Sequence, residues 1–521
     1  MMQNSQSQVH RRIRVRAPMP GALAGGTFAL AIALACATNA VAAQRTVTVV
    51  LSEEPDILEP CQSSRSNIGR VIKQNIVETL TEINPKDGQI QPRLATAWQQ
   101  VDPNTWRFTL RDGVKFHDGA VLDAAAVVTS INRTMNENIE CEIRTKFFGG
   151  LKVTPRAVDA TTLEVVTDKP APILPTMMGT MAVASPNSPA DKSTNRPVGT
   201  GPYVLEKWDV GQEIVLSRFA GYWGDKAQAE RARYVWRTES TVRAAMVKTG
   251  EADIAANIAV QDATEPTMDF SYPNSETSRM RIDVTRPPLG DRRVRLAINH
   301  AIDRNAIRGS IFSADVLPAT QLVVPSINGH NPDLEVWPYD PDKAMKLLAQ
   351  AKADGVPVDN EIVMIGRINI YPNATEVMEA MHAMLQAVGL NVTLRMIEVA
   401  EWVDILTKPY ADDRPPVLLQ SQHDNNNGDP VFTVYNKYHS EGANSMLSDP
   451  KLDGVIEAAE KAVGDERRKL WQEAFRIIHE DLVADVPMFH MVGYTRVGAK
   501  VKFVPNISTN SELHIEDVTF K

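Results

Sequence analysis

Residues 417–434 read VLLQSQHDNNNGDPVFTV and hold the chain's densest set of groups that could do chemistry. An apolar strand, 417–419, runs into a polar series and then a Gly428-Asp429-Pro430 turn. In α/β folds, polar groups at the end of a buried strand line a crevice. Asp424 is the principal candidate there, with His423 and Asn425 beside it. The competing reading is local, because Asx side chains often cap a loop or turn. A histidine could meet a metal but more often serves as a hydrogen-bonding group. Arg367, within IGRINIYPN at 365–373, is a second candidate. Its planar fork suits a carboxylate or a phosphate; a solvated surface arginine is the alternative.

Known catalytic spacings are missing. His479-Glu480 opens like a zinc-binding helix, but Val483 stands where the second histidine belongs. There is no G-x-S-x-G elbow and no phosphate-binding P-loop. Gly199-Thr200-Gly201 lacks the third glycine of a dinucleotide fingerprint. Cys61 and Cys141 are far apart and form no C-x-x-C motif. The expectation is a binding protein, not an enzyme, with no cofactor and no metal.

The frame that must position these residues is large. A chain of 521 residues has room for two or three domains. Residues 1–43 stand apart: Arg11, Arg12, Arg14 and Arg16 lead, an apolar small-residue run follows, and Ala40–Ala43 offers a cleavage site. These are the marks of a secretory signal peptide. Loss of its four arginines takes the formal charge from −9 to −13. An acidic chain is a poor partner for nucleic acid or anionic membrane. Cys61 and Cys141 survive processing, and an exported location permits a disulfide; sequence leaves bridge and free thiols equally open.

Along the chain, 46–51 reads as a buried strand and 105–110 as a half-buried one. Residues 68–80 show helical apolar spacing, and Asp123 is placed to cap a helix over 123–136. The run 197–224, PVGTGPYVLEKWDVGQEIVLSRFAGYWG, has a strand–turn–strand pattern. Residues 279–285 alternate as a crossing strand, and 487–491 read as a short return strand. Between them, a strand at 361–365, a helix at 374–388 and a strand at 391–397 give a βαβ rhythm, and 465–479 reads as a helix.

Several blocks carry a resemblance. LATAWQQVDPNTWRFTLRDGVKFHDGAVLDAAAVVTSINR, PVGTGPYVLEKW, FAGYWG, PPLGDRRVRLAINHAIDRNAI and the helix start at 339–348 occur in this order. Together they resemble the peptide/nickel family of extracytoplasmic solute-binding proteins that serve ABC importers. One departure is Ala126, where the family usually carries an acid. The resemblance implies an α/β fold of two lobes with a ligand cleft between them, the second lobe inserted in the first. By analogy lobe one covers 44–280 plus 492–521, and lobe two covers 281–491. It also implies a periplasmic monomer that captures a peptide or peptide-like solute, closes, and delivers it to the permease subunits. A sugar, opine or nickel chelate is the alternative solute, and a secreted enzyme on the same scaffold is a further one. Asp424 would pair with a ligand ammonium and Arg367 with its carboxylate. Ser64 and Arg65, in Ser63-Ser64-Arg65-Ser66, would face the cleft.

Overall fold

The structure, a computed structural model, describes residues 45–368, 370–424 and 428–521. The expected leader at 1–43 and Asn425 lie outside them. Among the described residues, no helix is long and apolar enough to cross a membrane.

One mixed sheet runs through the molecule in the order Tyr203–Asp209, Glu213–Arg218, Arg231–Trp236, Thr46–Leu51, Ile254–Ile258, Asp485–Val497, Asp269–Ile282, Val417–Asp424, Ile362–Arg367, Val392–Ile397. Thr46–Leu51 pairs in parallel with both of its neighbours. At the far end, Ile362–Arg367 is parallel to Val392–Ile397 and Val417–Asp424. Parallel strands need covering on both faces, which explains their continuous runs of Val, Ile and Leu. A separate four-stranded sheet packs against the helix Ala124–Met135.

Apolar burial divides in the same way. Three core clusters draw on residues between Val47 and Val518 that avoid the middle of the chain. Three others draw only on residues between Met280 and Met491. Each lobe therefore has its own interior, and the second is inserted into the first. Asp269–Ile282 and Asp485–Val497 are the strands that pass between them. They pair in two blocks, Asp269–Pro273 with 492–496 and 277–281 with 485–490. The ladder is broken between Pro273 and Thr277, where Ser275 takes φ 67°.

Several expectations are corrected in extent. The crossing strands are longer than 279–285 and 487–491, because charged and polar residues on them find partners across the ladder. Arg496 grips Asp269, with Nε–Oδ1 at 2.6 Å and Nη2–Oδ2 at 2.6 Å. Arg279 meets Asp485 and the Tyr438 hydroxyl. The helix expected over 68–80 stops at Ile72. Gln74 has φ 57°, and the backbone of 75–77 is claimed by the glycine-rich turn: Gly201 N donates to Ile76 O at 3.0 Å and Tyr203 N to Asn75 O at 2.9 Å. The helix expected over 465–479 ends at Arg476 and passes into a π turn, Ile477–Asp481. The acid missing at Ala126 costs no cap, since Asp123 Oδ1 accepts from Ala126 N at 2.8 Å.

The run 197–224 forms the expected hairpin, Tyr203–Asp209 with Glu213–Arg218. Its glycines are required by close approach. A Cβ on Gly199 would come within 2.1 Å of Ile76 O, and one on Gly201 within 2.4 Å of Asn75 O.

Candidate functional site

Two of the contacts between the lobes are made at glycines. A Cβ on Gly88 would sit 2.2 Å from the Ser326 carbonyl oxygen, and one on Gly428 would sit 3.1 Å from Ile83 Cδ1. Gly88 also has φ 68°, a backbone conformation that other residues adopt only with strain. Ile83 and Gly88 belong to the hairpin Thr81–Ile83/Ile90–Pro92 of lobe one, and Ser326 and Gly428 to lobe two.

Behind these contacts lies a cavity of about 60 Å³ walled by both lobes. Its chemistry is dipolar. Lys73 Nζ donates to Glu512 Oε1 at 2.5 Å, and His514 Nε2 donates to Glu512 Oε2 at 3.0 Å. Glu82 lies 3.9 Å from His514 Nδ1. Lys146 adds a second cation to the wall. Burial alone would raise the Glu512 carboxyl, but Lys73 and His514 outweigh it and hold the group at about 2. Burial disfavours a charged His514, yet Glu512 above all, with Glu82 and Asp517, lifts it above its ordinary value. The Ser63 and Ser64 hydroxyls and Gln74 Oε1 are buried in this wall with no hydrogen-bond partner among the described residues. Buried polar groups of that kind cost free energy until something bonds them.

The wall is assembled from distant parts of the chain. Lys73 follows the helix Ser66–Ile72, and Glu512 follows the turn Ile507–Asn510, closed by an Asn506 capping box. Arg70 ties the two together, donating to Thr509 O at 3.0 Å and to Asn510 O at 2.7 Å. Lys146 and Phe147 sit on the short helix Glu142–Phe147. That helix is anchored by a disulfide between Cys61 and Cys141, which settles the question sequence left open.

A second chamber of about 590 Å³ adjoins the first, sharing Ser64 and Lys146. Arg65 and Glu276 also line it, and Arg65 pairs with Asp56 at 3.0 Å. Glu276 stands opposite Asp424 in the ladder of Asp269–Ile282 with Val417–Asp424. The structure thus brings Ser64 and Arg65 to the chamber at whose edge the strand of Asp424 ends. Arg367 closes the parallel strand Ile362–Arg367 at that same carboxyl edge of the sheet. Its guanidinium lies 5.4 Å from the Trp402 ring centroid, and its Nε has no hydrogen-bond partner among the described residues. His423 is buried instead, bonded to Thr433 Oγ1 at 3.0 Å and to Lys437 Nζ at 3.1 Å. Among the described residues no group of three or more His, Cys, Asp or Glu could hold a metal ion.

Lys73, Glu82, Lys146 and Glu512 were not anticipated. Lys73 and Glu512 are 439 residues apart, and neither lies in a stretch with a motif.

A family model described as bacterial extracellular solute-binding proteins, family 5, middle region, matches residues 89–445. The glutathione-binding protein GsiB of Salmonella paratyphi A is 26% identical over 473 residues, covering 87% of this chain and 90% of GsiB. Among solved structures, HbpA2 from Haemophilus parasuis superposes with a TM-score of 0.80 at 22% identity, covering 91% of this chain and all of that one. The periplasmic murein tripeptide-binding protein MppA, in an unliganded open form, gives 0.79 at 20% identity, covering 92% and 98%. With a family model spanning most of its length and a two-lobed cleft fold shared with these proteins, the chain belongs to the bacterial extracellular solute-binding proteins of family 5.

Proposed function

We propose that this protein, the solute-binding component of an ABC importer, captures a peptide or peptide-like zwitterion by closing its lobes over it. The observation that carries this reading is the dipolar cavity between the lobes. Lys73 is paired with Glu512 and Glu82 with Arg93, and Lys146 and two serine hydroxyls without hydrogen-bond partners among the described residues also line it. A solute with an ammonium and a carboxylate can add to both signs of this wall at once, whereas a neutral sugar meets only its hydrogen-bonding groups. The relatives named for glutathione and for a murein tripeptide support a peptide-like solute.

In this reading Asp424 receives the ligand's ammonium and Arg367 its carboxylate, with His423 and Asn425 shaping the rim and Ser64 and Arg65 closing from the other lobe. The lobes are 44–280 with 492–521, and 281–491, turning about the ladder break at Pro273–Thr277. The protein acts as a monomer in the periplasm, released there by cleavage of 1–43. It hands its solute to the permease and makes or breaks no bond. Isothermal titration and tryptophan fluorescence against peptides, opines, oligosaccharides and nickel chelates test this. Saturable binding of peptides is expected. Binding confined to a non-peptide solute overturns the assignment of the solute, and turnover of a bound peptide, seen by mass spectrometry, overturns the binding-only role.

A further inference from the structure

We infer that Gln74 reads an unsubstituted backbone amide of the solute. Its side-chain oxygen accepts the amide N–H, while the hydroxyls of Ser63 and Ser64 donate to the adjoining carbonyl. This rests on the peptide reading above and deepens it. The solute class becomes one that presents a peptide N–H at this point, as against an ester, an N-alkylated amide or a sugar.

The direction of the Gln74 amide is fixed by its neighbours. Thr79 Oγ1 lies 2.6 Å from the Thr81 carbonyl oxygen. Two oxygens approach that closely only with a hydrogen between them, and a carbonyl has none to give. The Thr79 hydroxyl therefore donates to Thr81 O and can only accept from Gln74, 2.9 Å away. The atom facing Thr79 is then Nε2, and Oε1 is turned the other way. The backbone of Gln74, at φ 57°, is held in place by donation from its N to Val77 O at 2.8 Å.

Gln74 lines the cavity between the lobes, and Thr79 does not. Gln74 is 1% exposed, and its Oε1 has no donor among the described residues. An amide oxygen can only accept, so whatever meets it must bring an N–H or O–H. The Ser63 and Ser64 hydroxyls line the same cavity, are buried, and lack partners too, so none of the three groups bonds another. Left bare, such atoms cost free energy, and an occupant that bonds them recovers it. A trans peptide unit suits the set, because its N–H and C=O point to opposite sides and meet an acceptor and a donor at once. An ester keeps the carbonyl but sets an oxygen against Oε1, acceptor to acceptor. Water bonds the same atoms without regard to the solute, and it is the rival that the test separates.

The test is calorimetric titration of the mature protein with tri-alanine and glutathione, and with analogues of each in which one amide N–H at a time is replaced by an ester oxygen. For each peptide, one of the two esters should bind about tenfold or more weakly than its parent. Gln74→Met should weaken the parent about tenfold and bring parent and ester to equal affinity. Thr79→Val frees the Gln74 amide to turn over, so the parent-to-ester ratio should fall towards one. A merely structural role for Thr79 would shift both affinities together. Ser63→Ala should weaken parent and ester alike, because the ester keeps the carbonyl. Esters as tight as their parents on the wild type overturn this inference, assign the free atoms of the wall to water, and leave the peptide reading intact. A ratio unchanged in Gln74→Met, or in Thr79→Val should Gln74→Met not fold, does the same. No binding by either peptide overturns both.

Discussion

Thr200 and Trp223 share one oxygen: Thr200 Oγ1 donates to Glu78 Oε2 at 2.7 Å, and Trp223 Nε1 donates to it at 2.8 Å. The two ends of the hairpin run are thereby fastened to a single, fully buried carboxylate. Arg93 completes the arrangement, with Nε 2.7 Å from Glu78 Oε1. Replacing Glu78 by Ala strands the buried Thr200 donor and the half-buried Trp223 donor and removes a partner of a largely buried guanidinium. Loss of one member of such a buried pair costs about 3–5 kcal/mol. Urea unfolding of Glu78→Ala should show that loss; a midpoint unchanged from wild type would refute this account of the hairpin.

The Cys61–Cys141 bridge closes a loop of 80 residues and holds the helix bearing Lys146 and Phe147. Removing a native disulfide costs about 2–5 kcal/mol. The double replacement Cys61→Ala/Cys141→Ala should lower stability by that amount and also weaken solute binding, since the cavity wall loses its anchor. Stability lost with affinity intact would mean that the wall is held by other contacts.

The Lys73–Glu512–His514 array gives the stability curve two pH-dependent limbs. Glu512 sits at about 2, below its ordinary 4.5. Its contribution is present above pH 4.5 and is lost as pH falls toward 2. His514 is raised above 6.5, so its contribution is full below pH 6.5 and is lost as pH rises through the folded value. Glu512→Gln should flatten the acid limb, and His514→Gln the limb above pH 6.5. Denaturant midpoints measured across pH check both; curves parallel to wild type would contradict the assignment.

Gly88 makes lobe contact sensitive to a single methyl group. In Gly88→Ala the new Cβ collides with the Ser326 carbonyl only when the lobes are together. Separation relieves the collision, and affinity should fall tenfold or more, chiefly through faster dissociation. The strain of the positive φ adds about 1–2 kcal/mol to the cost of folding. Stopped-flow dissociation separates the two effects, and an unchanged off-rate would rule out the contact as part of closure.

At the carboxyl edge of the lobe-two sheet, Asp424→Ala should weaken an amine-bearing solute tenfold or more, about 1.4 kcal/mol. Acetylating the solute's amine should have the same effect on the wild type and none on the variant. An affinity that survives the substitution takes Asp424 out of the site.

The sequence made lobe architecture readable because local rules suffice for it. The hairpin needed only turn residues and alternation, and the βαβ unit at Ile362–Ile397 needed only a change of period. Asp123 announced its helix by type and position. The crossing strands were under-read because half of each is polar, Arg279 and Arg496 being buried through partners far along the chain. Glu82, Lys146 and Glu512 were invisible for the same reason: no local pattern marks a charge whose partner is 439 residues distant, as Lys73 and Glu512 are. Ser64 and Arg65 were put forward only through family resemblance, and Arg367 through that and its guanidinium, not through any spacing of their own.

The bonds from Arg70 and Asn75 to residues 509–515 have a consequence for how the molecule is built. As the chain grows, every strand of the large sheet, with Asp485–Val497 the last, is already present before the turn that leads to Glu512 exists. That last strand is the one that joins the two halves, and the residues after it supply a side of the cavity. Completion of the fold and completion of the receptor are therefore the same late event. A product truncated before residue 507 would retain most of its sheets and have no wall against which a solute could be held.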